Sequence, residues 1–136
     1  NLVLSGNNTY SGETNVEAGT LTLVGKIQSN TINVTSAGNL NTSGINSILD
    51  TATINLEGGM TVNDNEVIGV LNGAGNVTVA NGVTLGLGTG DFTGDIAGPG
   101  SFEKLSLEDF CLVNGASYTG LSMEPEMLKT KATTWP

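Results

Sequence analysis

The sequence predicts an all-β solenoid, and three observations predict it. Apolar residues alternate with polar ones over many short runs. Gly and Asn interrupt those runs at close intervals. One strand-and-turn is written twice: residues 2–12 line up without a gap on residues 110–120, so that Leu4, Tyr10 and Gly12 recur as Leu112, Tyr118 and Gly120. Such repetition marks stacked architectures, in which each unit buries its apolar face only against its neighbours.

The alternating pairs run in order along the chain: Leu2/Leu4, Leu21/Leu23, Ile32/Val34, Ile54/Leu56, Val77/Val79 and Val83/Leu85/Leu87. Alternation sends one set of side chains inward and the other outward. Thr22, Thr78 and Thr84 fall on the outward phase. Gly-Asn, Ala-Gly, Gly-Gly and Asn-Gly pairs bound the runs and turn the chain. Ahead of Gly120 no stretch carries a 3.6-residue period. The runs are shorter than sandwich strands, and turns recur too often for long hairpins. Asn33, Asn41, Asn55 and Asn63 are placed to stack as amide ladders between coils. With roughly 20 residues per coil, six or seven coils are expected, about 4.8 Å apart, in a rod on the order of 30 Å long.

Composition agrees with a thin stack. The 136 residues include 20 Gly, 3 Pro, 16 Asn and 18 Thr, and aromatics are only 4%. Without large aromatic anchors, layers of Val, Ile and Leu must fill the interior. The net charge is −9, with no Arg or His, and Lys26, Lys104, Lys129 and Lys131 are the only cations. That balance argues against nucleic acid and anionic lipid as partners. Cys111 is the single cysteine, so no internal disulfide is expected. No apolar run of about 18 residues predicts a membrane span. The first residues carry no charged, apolar leader, and the chain reads as an excerpt of something longer.

Residues 2–23 resemble the strand repeat of bacterial autotransporter passenger domains, L-T-L-S-G-x-N-T-Y-T-G-x-T-x-V-x-x-G-T-L-x-L, nearly throughout. Residues 68–78 and 92–104 are similar to two further family stretches, I-G-x-L-x-G-x-G-x-V-T and F-S-G-x-I-x-G-x-G-x-L-x-K, in the same order. The resemblance covers residues 2–25 and 67–120; residues 26–66 share only its texture. It implies a right-handed single-stranded parallel β-helix, extracellular or at the bacterial cell surface, attached to the outer membrane in the full-length protein.

The pattern ends abruptly. After Lys104 the family's Gly-rich turn is replaced by Leu105 to Asp109. By the 108-residue offset, inward Val16, Leu21 and Leu23 correspond to Glu124, Lys129 and Lys131. A coil interior holds such charges only at large cost. Residues 1–120 are therefore expected to form the β-helix passenger segment and 121–136 an atypical tail, disordered or a short helix. A changed reading frame or an artificial end would explain that tail.

Chemistry is sparse. No His stands by to activate a Ser or Cys, and no nucleophile elbow occurs. Cys111 alternates with Phe110 and Leu112 and is expected to point outward. Polysaccharide lyases and glycosidases need clustered carboxylates; Asp91 and Asp95 only flank a polar turn, and Glu103, Glu108 and Asp109 lie together where the family pattern breaks down. Asp64-Asn65-Glu66 is too compact for a calcium loop of EF-hand type. Acceptor triplets beginning at Asn7, Asn33, Asn41 and Asn76 are expected by chance in so Asn- and Thr-rich a chain. Tyr10 and Tyr118 read as packed turn residues.

The sequence thus predicts no catalytic residue, no cofactor and no metal ligand. It points to a structural or adhesive stalk, with Leu2, Leu4, Leu21 and Leu23 inside and Gly12, Gly19, Gly98 and Gly100 at turns. Expected partners are the neighbouring coils of the full-length chain and a host-surface protein or glycan, with no nucleic acid and no membrane insertion. Two alternatives are a glycan- or protein-binding adhesin module, with its loop in residues 26–66, and the non-catalytic part of a β-helix polysaccharide-acting enzyme.

Overall fold

The structure, a computed structural model, describes residues 1–104 and 110–112. Expectations for the tail, for Tyr118 and for Glu108 and Asp109 lie outside these residues, as does the direction of the Cys111 side chain.

The described residues form fifteen strands and no helix, numbered here in chain order. One face of the solenoid stacks β1 (Leu2–Leu4), β4 (Gly19–Leu23), β7 (Gly38–Thr42), β9 (Gly59–Val62), β11 (Asn76–Val79) and β13 (Asp95–Ala97). A second stacks β3 (Thr14–Val16), β6 (Thr31–Val34), β8 (Thr53–Leu56), β10 (Glu66–Gly73) and β12 (Thr84–Phe92), with β14 (Ser101–Lys104) on the first half of β12 and β15 (Phe110–Leu112) on its second half. A third, shorter pairing joins β2 (Asn7–Asn8) to β5 (Lys26–Ile27). Every pairing is parallel, so the chain climbs through about five turns of a parallel β-solenoid.

Register makes the core. Leu2 lies under Leu21, then Leu40, Met60, Val77 and Ile96 follow in one inward column. Leu4, Leu23, Thr42, Val62 and Val79 make a second. Across the interior, Val16, Val34 and Leu56 make a third. From Leu21 upward these apolar residues are buried, as alternation predicted. Burying a Leu or Ile in this way contributes roughly 1.5–3 kcal/mol. Leu2 departs from its predicted interior place. It sits in the inward column yet is 57% exposed, because β1 has a strand on only one side.

The strand that opens each copy of the duplicated segment takes a different place in the stack. Leu2–Leu4 pairs with β4 on the first face, whereas Phe110–Leu112 pairs with Gly90–Phe92 on the second. Coil length sets the face a strand occupies, and the coils here are unequal. The step from Leu21 to Leu40 is 19 residues, from Thr31 to Thr53 is 22, and from Met60 to Val77 is 17.

An asparagine ladder runs up the second face. Asn33 donates to Asn15 at 2.8 Å, Asn55 to Asn33 at 2.8 Å, and Asn72 to Asn55 at 3.3 Å. The Asp91 N–H closes it on the Asn72 oxygen at 3.0 Å. Asn33 and Asn55 stack as expected. Asn41 does not, because its column neighbours are Thr22 and Thr61. Asn63 lies beyond the end of β9 and is held by its backbone, whose N–H donates to Thr42 at 2.8 Å.

Candidate binding groove

The long step from Thr31 to Thr53 is where the rod departs from regularity. In the lower coils the third face is made by β2 and β5. Higher up, the first halves of β10 and β12 take over, with Glu66, Val67 and Ile68 paired to Leu85, Gly86 and Leu87. Between these two patches no strand forms, and residues 43–52 loop across instead. The loop is tied to both sides. Ile27 N–H donates to Ser47 O at 2.9 Å from below, and Asn46 N–H donates to Asn65 O at 3.0 Å above. Asn46 turns the chain with φ of 50°, a left-handed conformation that Asn tolerates better than most residues. A turn bond from Ala52 N–H to Leu49 O, 2.9 Å, returns the chain to β8.

Glu66 fixes this loop from within. It occupies an inward position and is 1% exposed. One carboxylate oxygen accepts the Ser47 N–H at 2.9 Å and the other the Ile48 N–H at 3.2 Å. The side chain thus supplies the inter-coil bonds that a missing strand pairing would have made. Loss of hydration pushes its pKa up to about 7; the Ile48, Ser47 and Val67 N–H groups act against that rise, and the Asp50 charge adds to it. Nothing in the alternation marked Glu66 as interior. The one available signal was the coil of unusual length just before it.

Outside, the loop leaves a groove of about 440 Å³ lined by Asn7, Lys26, Ile27, Gln28, Asn46, Ile48, Leu49, Asp50 and Thr51. That volume lies within the roughly 300–1,000 Å³ usual for small-ligand sites. The groove is lined by aliphatic Ile27, Ile48 and Leu49 together with three amides, a hydroxyl, one ammonium and one carboxylate. No ion pair engages Lys26 among the described residues. These polar groups can donate and accept hydrogen bonds.

The other singled-out residues scatter. Asp91 is exposed on β12 and Asp95 on β13, on different faces. In the Asp64-Asn65-Glu66 run, Asp64 accepts the Asn65 N–H at 3.0 Å, Asn65 accepts the Thr84 N–H at 2.9 Å, and Glu66 turns inward. Among the described residues no three His, Cys, Asp or Glu converge on a metal position. Tyr10 is 39% exposed, with its hydroxyl 2.9 Å from Thr14 Oγ1. It lines a second cavity, of about 300 Å³, at the open mouth of the first coil with Leu2, Leu4, Val16 and Leu21.

The fold and its stacked columns define the class: a parallel β-solenoid built of repeated coils. Residues 1–23 match the family model of the passenger-associated-transport-repeat. No curated protein and no solved structure matches the chain. The matched repeat and the solenoid together fit an autotransporter passenger domain with repeats, a class of secreted or cell-surface protein.

Proposed function

We propose that this chain is a structural and adhesive stalk segment of an autotransporter-like surface protein, attached to the outer membrane in its full-length form and without a catalytic role. The observation that carries this is the unbroken inward column from Leu2 to Ile96, one apolar residue per coil. Such a column makes a rod whose length grows with coil number, which suits a spacer. We place adhesion in the groove over residues 43–52, a strand-free stretch of the described coils. Its amides and hydroxyl, with Lys26 and Asp50 set among them, suit a hydrogen-bonding host-surface glycan or protein. A weak site of this kind gains strength when many copies are displayed together.

The test is binding of the chain to arrayed glycans and host-surface proteins, alongside a Lys26→Gln/Asp50→Ala variant. Specific binding that the variant loses, with its β-sheet circular dichroism intact, supports adhesion in the groove. Binding that survives unchanged moves adhesion elsewhere on the rod. No binding at all reduces the role to that of a spacer.

A further inference from the structure

Two Asn-Gly dipeptides lie among the described residues, Asn72–Gly73 and Asn81–Gly82, and the fold treats them in opposite ways. An asparagine followed by glycine is open to an internal reaction. The glycine backbone nitrogen attacks the side-chain carbonyl carbon, and no Cβ on the following residue crowds the approach. Whether the reaction proceeds depends on how firmly the amide and the nitrogen are held.

Asn72 is held at both ends of its amide. Its nitrogen donates to Asn55 Oδ1 at 3.3 Å and its oxygen accepts the Asp91 N–H at 3.0 Å. Both contacts tie the amide to neighbouring coils. Gly73 itself is locked in the sheet between Leu56 and Phe92.

Asn81 has none of this. It is exposed at the corner between β11 and β12, and its side chain has no hydrogen-bond partner among the described residues. The one bond closing the corner runs from Val83 N–H to Ala80 O, 3.1 Å, and leaves the Gly82 N–H unpartnered. Gly82 adopts φ of 77°, and no atom lies within 4 Å of where a Cβ would stand. The corner therefore has both the unheld reactants and the space to rearrange.

We propose that Asn81–Gly82 is a self-modifying site and that the asparagine ladder protects Asn72–Gly73 from the same chemistry. At Asn81 a bond forms between the Gly82 nitrogen and Cγ as the bond from Cγ to Nδ2 breaks. The amide nitrogen leaves as ammonia, taking the Gly82 N–H proton. Solvent water then opens the five-membered imide at either carbonyl, giving aspartate or isoaspartate. The product adds one negative charge, and the isoaspartate form adds one main-chain methylene, at a corner open to solvent. The β11–β9 and β12–β10 pairings on either side do not use residues 81 and 82, so the coil survives the change. A chain of this kind displayed for long periods outside a cell would carry its age as charge at this corner.

The experiment incubates the full chain in mildly alkaline buffer, folded and in urea, and follows both sites by peptide mass mapping. In the folded chain Asn81 is expected to convert at least about tenfold faster than Asn72, the margin expected if Asn72 reacts only when its ladder opens. In urea the two are expected to convert at similar rates, since both are Asn-Gly dipeptides flanked by uncharged residues, Leu71 and Ala74 at one and Ala80 and Val83 at the other. An Asn55→Ala variant, which removes the acceptor of the Asn72 amide, is expected to speed conversion at Asn72 and leave Asn81 unchanged. Equal rates in the folded chain overturn the proposal. So does an Asn81 that stays intact when folded while the urea sample converts. The comparison of folded and unfolded wild-type chain decides the matter even if Asn55→Ala fails to fold.

Discussion

The carboxylate of Glu66 accepts the backbone N–H of Ser47, 2.9 Å away, across the one position on the third face where no strand pairs the coils. A titratable group here stands in for a ladder bond, and its protonation state bears on stability. Its pKa is raised from 4.5 to about 7 on folding, chiefly by lost hydration. Between those values the folded chain binds more protons than the unfolded chain. Its contribution is therefore fully present below about pH 4.5 and lost as pH rises through about 7. The loss is on the order of 3 kcal/mol. Urea midpoints taken across this range should fall with pH in the native chain. They should fall less in Glu66→Gln, and an equal slope in both would show that other carboxylates set the trend.

Thr42 is the odd member of an inward column. It lies between Leu23 and Val62, is fully buried, and its Oγ1 has no hydrogen-bond partner. A hydroxyl buried without a partner costs about 1–3 kcal/mol. Thr42→Val keeps the shape and removes that cost, so a gain of about 1 kcal/mol is expected. It should appear as a higher urea midpoint with an unchanged slope. A loss instead would indicate a bridging water at this site.

The ladder predicts an order of effects. Asn55 makes two rungs, donating to Asn33 and accepting from Asn72, whereas Asn15 makes one. At about 1 kcal/mol for each net hydrogen bond, Asn55→Ala should cost roughly twice what Asn15→Ala costs. Equal costs in thermal or urea unfolding would mean that the rungs are not where the energy lies.

The sequence disclosed the ladder only in part, and the reason is general to this fold. Alternation identifies which residues face inward, since period 2 is a property of one strand. It located Leu23, Ile32, Ile54, Val79 and Leu87 in the core. Which residues stack on which depends on coil length, and the steps here run from 17 to 22 residues, as Met60 to Val77 and Thr31 to Thr53 illustrate. That is why Asn33 and Asn55 meet while Asn41 lands between two threonines. It is also why two segments that align in sequence, Leu2–Leu4 and Phe110–Leu112, end on different faces. The groove was legible only as the region where the repeat texture faded. Glu66 was weighed in the sequence only as part of the compact Asp64-Asn65-Glu66 run, because only the loop it supports makes its interior place tenable.

The open first coil predicts association. Leu2 and Val3 are 57% and 59% exposed, and β1 pairs only with β4, leaving its other edge bare. Bare apolar edges recruit further strands. Sedimentation should show the chain associating as its concentration rises, and Val3→Lys should weaken this. Because Val3 contributes little buried area, the variant should keep the parent's stability to within about 0.5 kcal/mol. A chain that stays monomeric at high concentration would count against association through this edge.

A column of glycines sets how closely the coils approach at one corner. A Cβ on Gly75 would run into the carbonyl oxygen of Gly58 below it, and one on Gly94 into that of Gly75. These carbonyls cannot turn aside. Gly58 O accepts the Asn76 N–H at 3.0 Å, and Gly75 O accepts the Asp95 N–H at 3.2 Å, so each is a bond between coils. A methyl at Gly75 must therefore break an inter-coil bond or push the coils apart. Gly75→Ala is expected to cost about 3 kcal/mol or more, in the range where core overpacking and lost backbone bonds combine. Gly12→Ala serves as the control, since nothing lies within 4 Å of its Cβ position. Its urea midpoint should match the parent's. Should Gly75→Ala unfold at the same midpoint as Gly12→Ala, the coils at this corner would be further apart than the register of β9 on β11 allows.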